Sequence, residues 1–204
     1  MKNIAIIGAG GHTRSSLNLL KLAFMGAKLK IYDDTFSHET NEIILSIPVA
    51  GKLSDVPNKQ SVFLSIGNNI IREELFIKYK KVIIAENLIH KNCFLEENIS
   101  IGKSNQIFAN TYLNSSVVIG NNNIINTGSI LEHEVEIGDH NHISVSSKLC
   151  GRVKIGNRCF IGVGAIIIDK VSMCDDVIIG AGAVVIKNIV ESGTYVGIPA
   201  RRIK

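Results

Sequence analysis

The sequence predicts an α/β domain built on a small Rossmann-like parallel sheet, followed by a parallel β-helix of hexapeptide repeats. Three observations carry that prediction. Every sixth residue over 83–185 is aliphatic or Met, eighteen positions without a polar side chain. Ile99, Val117, Val135, Val153 and Val171 form a second series, spaced by eighteen. Ahead of both, an apolar run over 4–7 leads into Gly8-Ala9-Gly10-Gly11 and then a stretch of helical character.

The first domain is assigned to 1–85. Its run 4–7 reads as a strand, 15–24 as a helix and Lys28–Tyr32 as a second strand that ends in Asp33-Asp34, together a βαβ unit. A third strand over 61–66 runs into Gly67-Asn68-Asn69, an amphipathic helix covers 70–79, and 82–85 completes the sheet. The glycine cluster lies where strand meets helix, so free N–H groups at the helix start can cradle a phosphate. Thr13 stands where the dinucleotide fingerprint has its third small residue. The cluster therefore reads either as a phosphate loop or as a tight turn without a ligand. Asp33 and Asp34 read as ligands for a ribose or base, or as solvated loop residues.

The second domain is assigned to 86–204. In a chain that is 46% hydrophobic, eighteen apolar residues in register would arise by chance about once in a million, so the spacing is a true period. Three six-residue faces make one turn of a triangular prism, and about six turns fit. Successive turns hydrogen-bond at roughly 4.8 Å, which stacks each inward side chain on its own kind. Gly102, Gly120, Gly138, Gly156, Gly162 and Gly180 follow inward aliphatics, while Ser129, Ser147, Ala165 and Ala183 suit narrow corners. Aromatic residues make up only 5% of the chain, as a narrow prism requires. Residues 190–204, with Gly197-Ile198-Pro199-Ala200, read as a cap.

Composition narrows the function. The apolar content excludes a disordered chain. The net charge of +4 is scattered rather than clustered, which points to small anionic ligands and away from nucleic acid. Cys93, Cys150, Cys159 and Cys174 form no C-x-x-C pair, and no apolar run approaches membrane length. Both features predict a cytoplasmic protein with no membrane partner.

His133 lies two residues beyond the inward Leu131, near a corner and facing outward. Eighteen residues on, the same column holds Gly151, a bare position that leaves room for a substrate and exposes a backbone N–H. An imidazole there can take a proton from an attacking amine or hydroxyl; the bland reading is a solvated histidine. His142 precedes the inward Ile143 and also faces out, nine residues and one and a half faces away. A site using both must lie between subunits, which a three-sided prism favours as a trimer. A metal was weighed on His12, His38, His90, His133, His140 and His142 and set aside. The positions eighteen away from His140 and His142 are Asn122, Ile124, Arg158 and Phe160, which offer no third ligand of the usual kind. Cys150 has no histidine in its column to activate it as a nucleophile.

The segments 126–134 (NTGSILEHE), 137–139, 142–144 and 196–200, with 8–12, 33–34 and 65–72, carry a resemblance across nearly the whole chain. It resembles the hexapeptide-repeat sugar acetyltransferases of the NeuD-like (sialic acid O-acetyltransferase) family, and within it the PglD-like UDP-4-amino-sugar N-acetyltransferases. The resemblance implies a left-handed β-helix and a homotrimer with sites between subunits. It implies acetyl-CoA along the helix and a nucleotide-linked amino sugar on the N-terminal domain. By the same resemblance His133 is the general base and Glu134 its supporting carboxylate, His142 lies near the thioester, Asn126 near the base, and His12 reaches the sugar or its phosphates. Gly8, Gly10, Gly11, Gly67, Asn68, Asp33 and Asp34 match the nucleotide site, and Gly180-Ala181-Gly182 flank the coenzyme arm. The Gly151 N–H is taken to stabilise the oxyanion, and Arg201, Arg202 and Lys204 to meet phosphates or simply solvate the tail. Neighbours in a strand point oppositely, so Glu134 reaches His133 only if a turn re-aims it.

The activity implied is acetyl-CoA-dependent N-acetylation of the 4-amino group of a UDP- or dTDP-linked 4-amino-4,6-dideoxy sugar, in surface glycan biosynthesis. The alternatives are O-acetylation of sialic acid or a related sugar, and a nucleotide-sugar binding protein without turnover.

Overall fold

The computed structural model describes residues 2–37 and 42–204. The chain forms two compact units, Met1–Ala85 and Glu86–Lys204. His38, one of the histidines weighed as a metal ligand, lies outside the described residues.

The N-terminal unit contains β1 (Asn3–Ile7), α1 (Gly11–Ala23), β2 (Lys28–Tyr32), β3 (Ile43–Ile44), β4 (Ile47–Gly51), β5 (Ser61–Leu64) and α2 (Asn69–Lys78). The sheet order is β3-β4-β2-β1-β5, parallel except for the β3–β4 hairpin at one edge. β1 is central and buried on both faces, as a near-continuous apolar run requires. The sequence reading assigned no structure to the hairpin. Its turn residues Leu45 and Ser46 both have positive φ, 47° and 69°, a conformation normally announced by Asn or Gly. The predicted strand over 82–85 is a single bridge from Ile83 to Val62. Ile83, the first member of the sixfold series, therefore belongs to the α/β unit and not to the repeat.

The second unit is a β-helix whose hexapeptide repeat fits the left-handed form. One face stacks six strands: Phe94–Leu95, Tyr112–Leu113, Ile130–Leu131, Lys148–Leu149, Ile166–Ile167 and Val184–Val185. A second stacks five, from Ser100–Ile101 to Ser172–Met173, and the third runs from Leu88–Ile89 through His142–Ile143 to Val177–Ile179. Each strand pairs in parallel with the one eighteen residues away, as in Ile130↔Lys148 and Leu131↔Leu149. The inward Leu113, Leu131, Leu149 and Ile167 are fully buried.

Corners turn through left-handed residues at six-residue intervals, including Asn122, Glu134, His140, Ser146, Arg152 and Arg158. One corner carries a buried amide ladder. Asn105 Oδ1 accepts from Asn123 N at 2.8 Å, Asn123 Oδ1 from Asn141 N at 2.7 Å, and Asn141 Oδ1 from Cys159 N at 2.7 Å. The predicted cap is ordered: Gly193–Val196 extends the third sheet in parallel, and Arg201–Arg202 folds back antiparallel on it.

Candidate active site

In the N-terminal unit β1 is followed by Gly8, where φ is 111° and a methyl group would fall 2.7 Å from both Ser65 O and the Ile66 side chain. Only glycine fits there. Gly10 caps α1, and a methyl group on Gly10 or Gly11 would meet nothing within 4 Å. The first turn of α1 holds no acidic residue of its own, so its N–H groups present a positive end suited to an anion. Thr13 is buried, and its hydroxyl donates to Gly8 O at 2.7 Å, tying helix to loop. The β carbon of His12 lies 4.0 Å from the position a methyl on Gly67 would take, which brings these two candidates together.

Asp33 and Asp34 both accept hydrogen bonds from their own chain. Asp33 Oδ2 accepts from Ala9 N at 2.7 Å, and its Oδ1 accepts from the N–H and hydroxyl of Thr35 at 2.9 and 2.6 Å. Burial opposes its ionisation, but these hydrogen bonds outweigh burial and hold the carboxyl below its ordinary range. Asp34 Oδ1 accepts from Leu53 N at 3.0 Å. Asn68 is the N-cap of α2, accepting from Ile71 N at 3.1 Å. Asp33 and Asn68 thus brace the loops of Gly8–Gly11 and Gly67, and Asp34 ties its turn to the segment after β4. Sequence reasoning assigned no role to Arg72, which is fully buried and donates to Ile66 O, Gly67 O and Asn69 Oδ1 at 3.1, 3.3 and 2.8 Å. Burial pushes its guanidinium down to about 9, and its bonds fix the Gly67 loop. Its place three residues after the Gly67-Asn68-Asn69 motif is the available signal.

In the β-helix, His133 follows the strand Ile130–Leu131 at a corner, with its side chain 47% exposed. Glu134 is the left-handed residue of that corner, φ 59°, and the turn swings it back beside its neighbour. His133 Nδ1 donates to Glu134 Oε2 at 3.1 Å. A carboxylate accepts only, so Nδ1 is the donor of this pair, and in the neutral imidazole that leaves the lone pair on Nε2. Nε2 points over Gly151, where a methyl group would fall 2.5 Å from both Nε2 and Cε1. The glycine is what allows the ring to lie there.

His142 departs from expectation. It points away from the prism axis, yet it is only 8% exposed, held edge-on to Phe160 at 5.1 Å between centroids. Asn126 Nδ2 is 3.4 Å from His142 Nε2, and Asn126 Oδ1 accepts from Thr127 N at 2.8 Å. These two sit together on the third face, whereas His133 and Glu134 follow the first. Gly180 would place a methyl 2.7 Å from Val196, so it serves packing against the cap, whereas a methyl on Gly182 would meet nothing within 4 Å. Arg202 is paired with Glu191 at 3.1 Å and with Ser192 O. Cys159 is buried, its thiol pushed up to about 12 chiefly by burial; the Cys150 thiol is raised by burial and by the carboxylates of Glu132 and Asp169. Among the described residues no three His, Cys, Asp or Glu side chains are grouped to hold a metal.

Residues 3–79 match the family model of the PglD N-terminal domain, and residues 152–187 match that of the bacterial transferase hexapeptide, six repeats. Among solved structures, PerB from Caulobacter crescentus, in complex with CoA and GDP-perosamine, is 30% identical with a TM-score of 0.89, covering 100% of this chain and 98% of that one. The chain belongs to the family of PglD-like sugar N-acetyltransferases. The acetyltransferase domain of PglB from Neisseria gonorrhoeae is 26% identical to this family member, with a TM-score of 0.89 and 100% of both chains covered. WeeI from Acinetobacter baumannii gives the same identity, coverage and score. No curated protein matches it by sequence.

Proposed function

We propose that the chain is an acetyl-CoA-dependent N-acetyltransferase that acts on the amino group of a nucleotide-linked 4-amino-4,6-dideoxy sugar in surface glycan biosynthesis. The observation that carries this reading is the His133–Glu134 pair, with a free Nε2 over the bare Gly151. Both substrates are held at once, and the neutral amine attacks the thioester carbonyl. As the C–N bond forms, Nε2 of His133 takes a proton from nitrogen while Glu134 supports the imidazolium. The C–S bond then breaks, and the departing thiolate takes that proton, leaving amide and free CoA. The Gly151 N–H is the proposed oxyanion donor. The raised thiol of Cys150 speaks against an acyl-enzyme.

PerB binding CoA and GDP-perosamine, and the PglB domain binding acetyl coenzyme A, support the substrate classes. The nucleotide end is assigned to His12, Asp34 and the loops of Gly8, Gly10, Gly11 and Gly67, with Asp33 and Asn68 bracing those loops. Ala181 and Gly182 are assigned to the pantetheine arm, with His142 and Asn126 near the thioester. A cytoplasmic homotrimer with shared sites is part of the proposal. Its support is the outward column Phe94, Tyr112, Ile130, Lys148, Ile166 and Val184 on the face that leads to His133, which carries a charge only at Lys148. Light scattering should give about three times the 22.2 kDa chain mass; a monomer would sink the shared site.

The decisive assay is thiol release from acetyl-CoA with UDP-, dTDP- and GDP-linked 4-amino sugars, run beside free sialic acid. Release with one amino sugar is expected. Release with sialic acid alone would make the enzyme an O-acetyltransferase, and no release with any acceptor would leave a binding protein.

A further inference from the structure

His133, Gly151 and Asp169 form one column, each a full turn of the β-helix beyond the last. Arg152 N donates to His133 O and Lys170 N to Gly151 O, both at 2.9 Å, which locks the three turns in register. Two turns separate the His133 and Asp169 backbones by roughly 9.6 Å, too far for side chains that stand side by side. Gly151 removes the obstacle between them. The point a methyl on Gly151 would occupy lies 2.5 Å from His133 Nε2 and 3.0 Å from Asp169 Oδ1. The carboxylate oxygen is therefore within about 5.5 Å of the nitrogen that must receive the proton. Arg152 holds that carboxylate in place, its Nη2 reaching Oδ1 at 3.0 Å and Oδ2 at 3.1 Å and its Nε reaching Oδ1 at 3.3 Å.

We propose that Asp169, aimed by Arg152, is an acceptor-binding residue that takes a hydrogen bond from the sugar amine and holds its nitrogen against Nε2 of His133. The proposal rests on the acetyltransferase reading and adds a source of selectivity to it. A neutral amine has two hydrogens and one lone pair. With one hydrogen on Nε2 and one on Asp169, the lone pair is left directed at the thioester. A hydroxyl has a single hydrogen and cannot satisfy both groups, so the column favours N- over O-acetylation. The carboxylate also attracts the ammonium form that predominates before attack and repels the anionic phosphates of the coenzyme, so it belongs to the acceptor side. Asp169 moves no proton: the ammonium loses its first to solvent and the amine its second to His133.

The other charges here are accounted for. Glu134 occupies Nδ1 of His133; Lys170 Nζ lies 3.9 Å from Asp169 Oδ2; Glu132 is held by Asn114 at 2.6 Å. Asp169 and Glu132 both raise the Cys150 thiol, consistent with a negative field at this corner.

The test compares wild type, Asp169→Asn, Asp169→Glu and Arg152→Ala, with the melting curve of each as a folding control. Asp169→Asn is expected to raise KM for the amino sugar about tenfold, leave KM for acetyl-CoA unchanged, and lower the rate ratio of amine to hydroxyl acceptor. Asp169→Glu should recover part of both, and Arg152→Ala should fall between. Wild-type turnover with an unaltered acceptor KM and acceptor ratio in Asp169→Asn overturns this assignment alone. An effect confined to KM for acetyl-CoA overturns it in favour of a coenzyme contact, and no turnover by the wild type overturns both readings.

Discussion

The two units spend their polar residues differently. In the α/β unit, the side chains that look most like ligands are already engaged with their own backbone: Asp33 with Ala9 and Thr35, Asp34 with Leu53, Asn68 with Ile71, Thr13 with Gly8. What remains open is main chain, at Gly10, Gly11 and the start of α1. In the β-helix most of the backbone is taken up by parallel pairing, the proposed Gly151 donor apart, and chemistry falls mainly to side chains at corners, where His133 is half exposed and Glu134 is turned toward it. One unit offers N–H groups on a rigid loop; the other offers an imidazole on a rigid corner. A fold that saturates its backbone must do chemistry with side chains, while one that leaves a helix end free can bind anions with almost none.

This division is tested most severely at His133. His133→Ala should lower turnover at least about a hundredfold while the melting temperature stays near wild type, because the ring is half exposed and carries little packing. Wild-type-like turnover would remove the corner from the chemistry and dissolve the contrast. Gly151→Ala comes next. Its methyl would fall 2.5 Å from two ring atoms of His133, so the imidazole must swing aside. A fall in kcat of about 10- to 100-fold is expected, with a raised KM for the amino sugar because the methyl also falls 3.0 Å from Asp169 Oδ1, and with acetyl-CoA binding largely retained. An unchanged kcat would show that the ring has no need to lie over that position.

The same contrast explains what could be read from the sequence. The β-helix was legible because one physical demand, an aliphatic side chain facing the axis, recurs every six residues and averages out local ambiguity. The period also overreached, since Ile83 keeps the spacing but pairs with Val62. The amide ladder was visible as Asn87, Asn105, Asn123 and Asn141, eighteen apart, but isolated asparagines read as loop formers until the stacking is known. Outward position and exposure proved separable: His142 points outward and is buried all the same. The α/β unit repeats nothing, so each element rested on its own local signal. Where that signal was unusual, as at the Leu45-Ser46 turn, the hairpin went unread. Asp33 shows the limit for site residues, because a strand-end carboxylate that binds a ligand and one that braces a loop have the same sequence.

Asp33 supplies the smallest effect and the finest test of the division. Its carboxylate is held below the ordinary range by hydrogen bonds from Thr35 and Ala9, which outweigh the opposing effect of burial. A carboxyl whose folded-state pKa is depressed stabilises the fold above its unfolded pKa, and that contribution is lost as the pH falls through the lower, folded value. Asp33→Ala should therefore cost about 1 kcal/mol at pH 7, after allowance for solvent screening, and less at pH 3. Urea unfolding at the two pH values measures the difference, and amide exchange at Ala9 locates it. Because Asp33 braces the glycine loop to which the nucleotide is assigned in the proposal, KM for the nucleotide sugar should rise severalfold while kcat at saturation stays near wild type, leaving the His133 corner untouched. A cost that is the same at both pH values would show that the neutral side chain braces the loop as well as the anion does. A fall in kcat would show that the two units divide the work less cleanly than their hydrogen bonding implies.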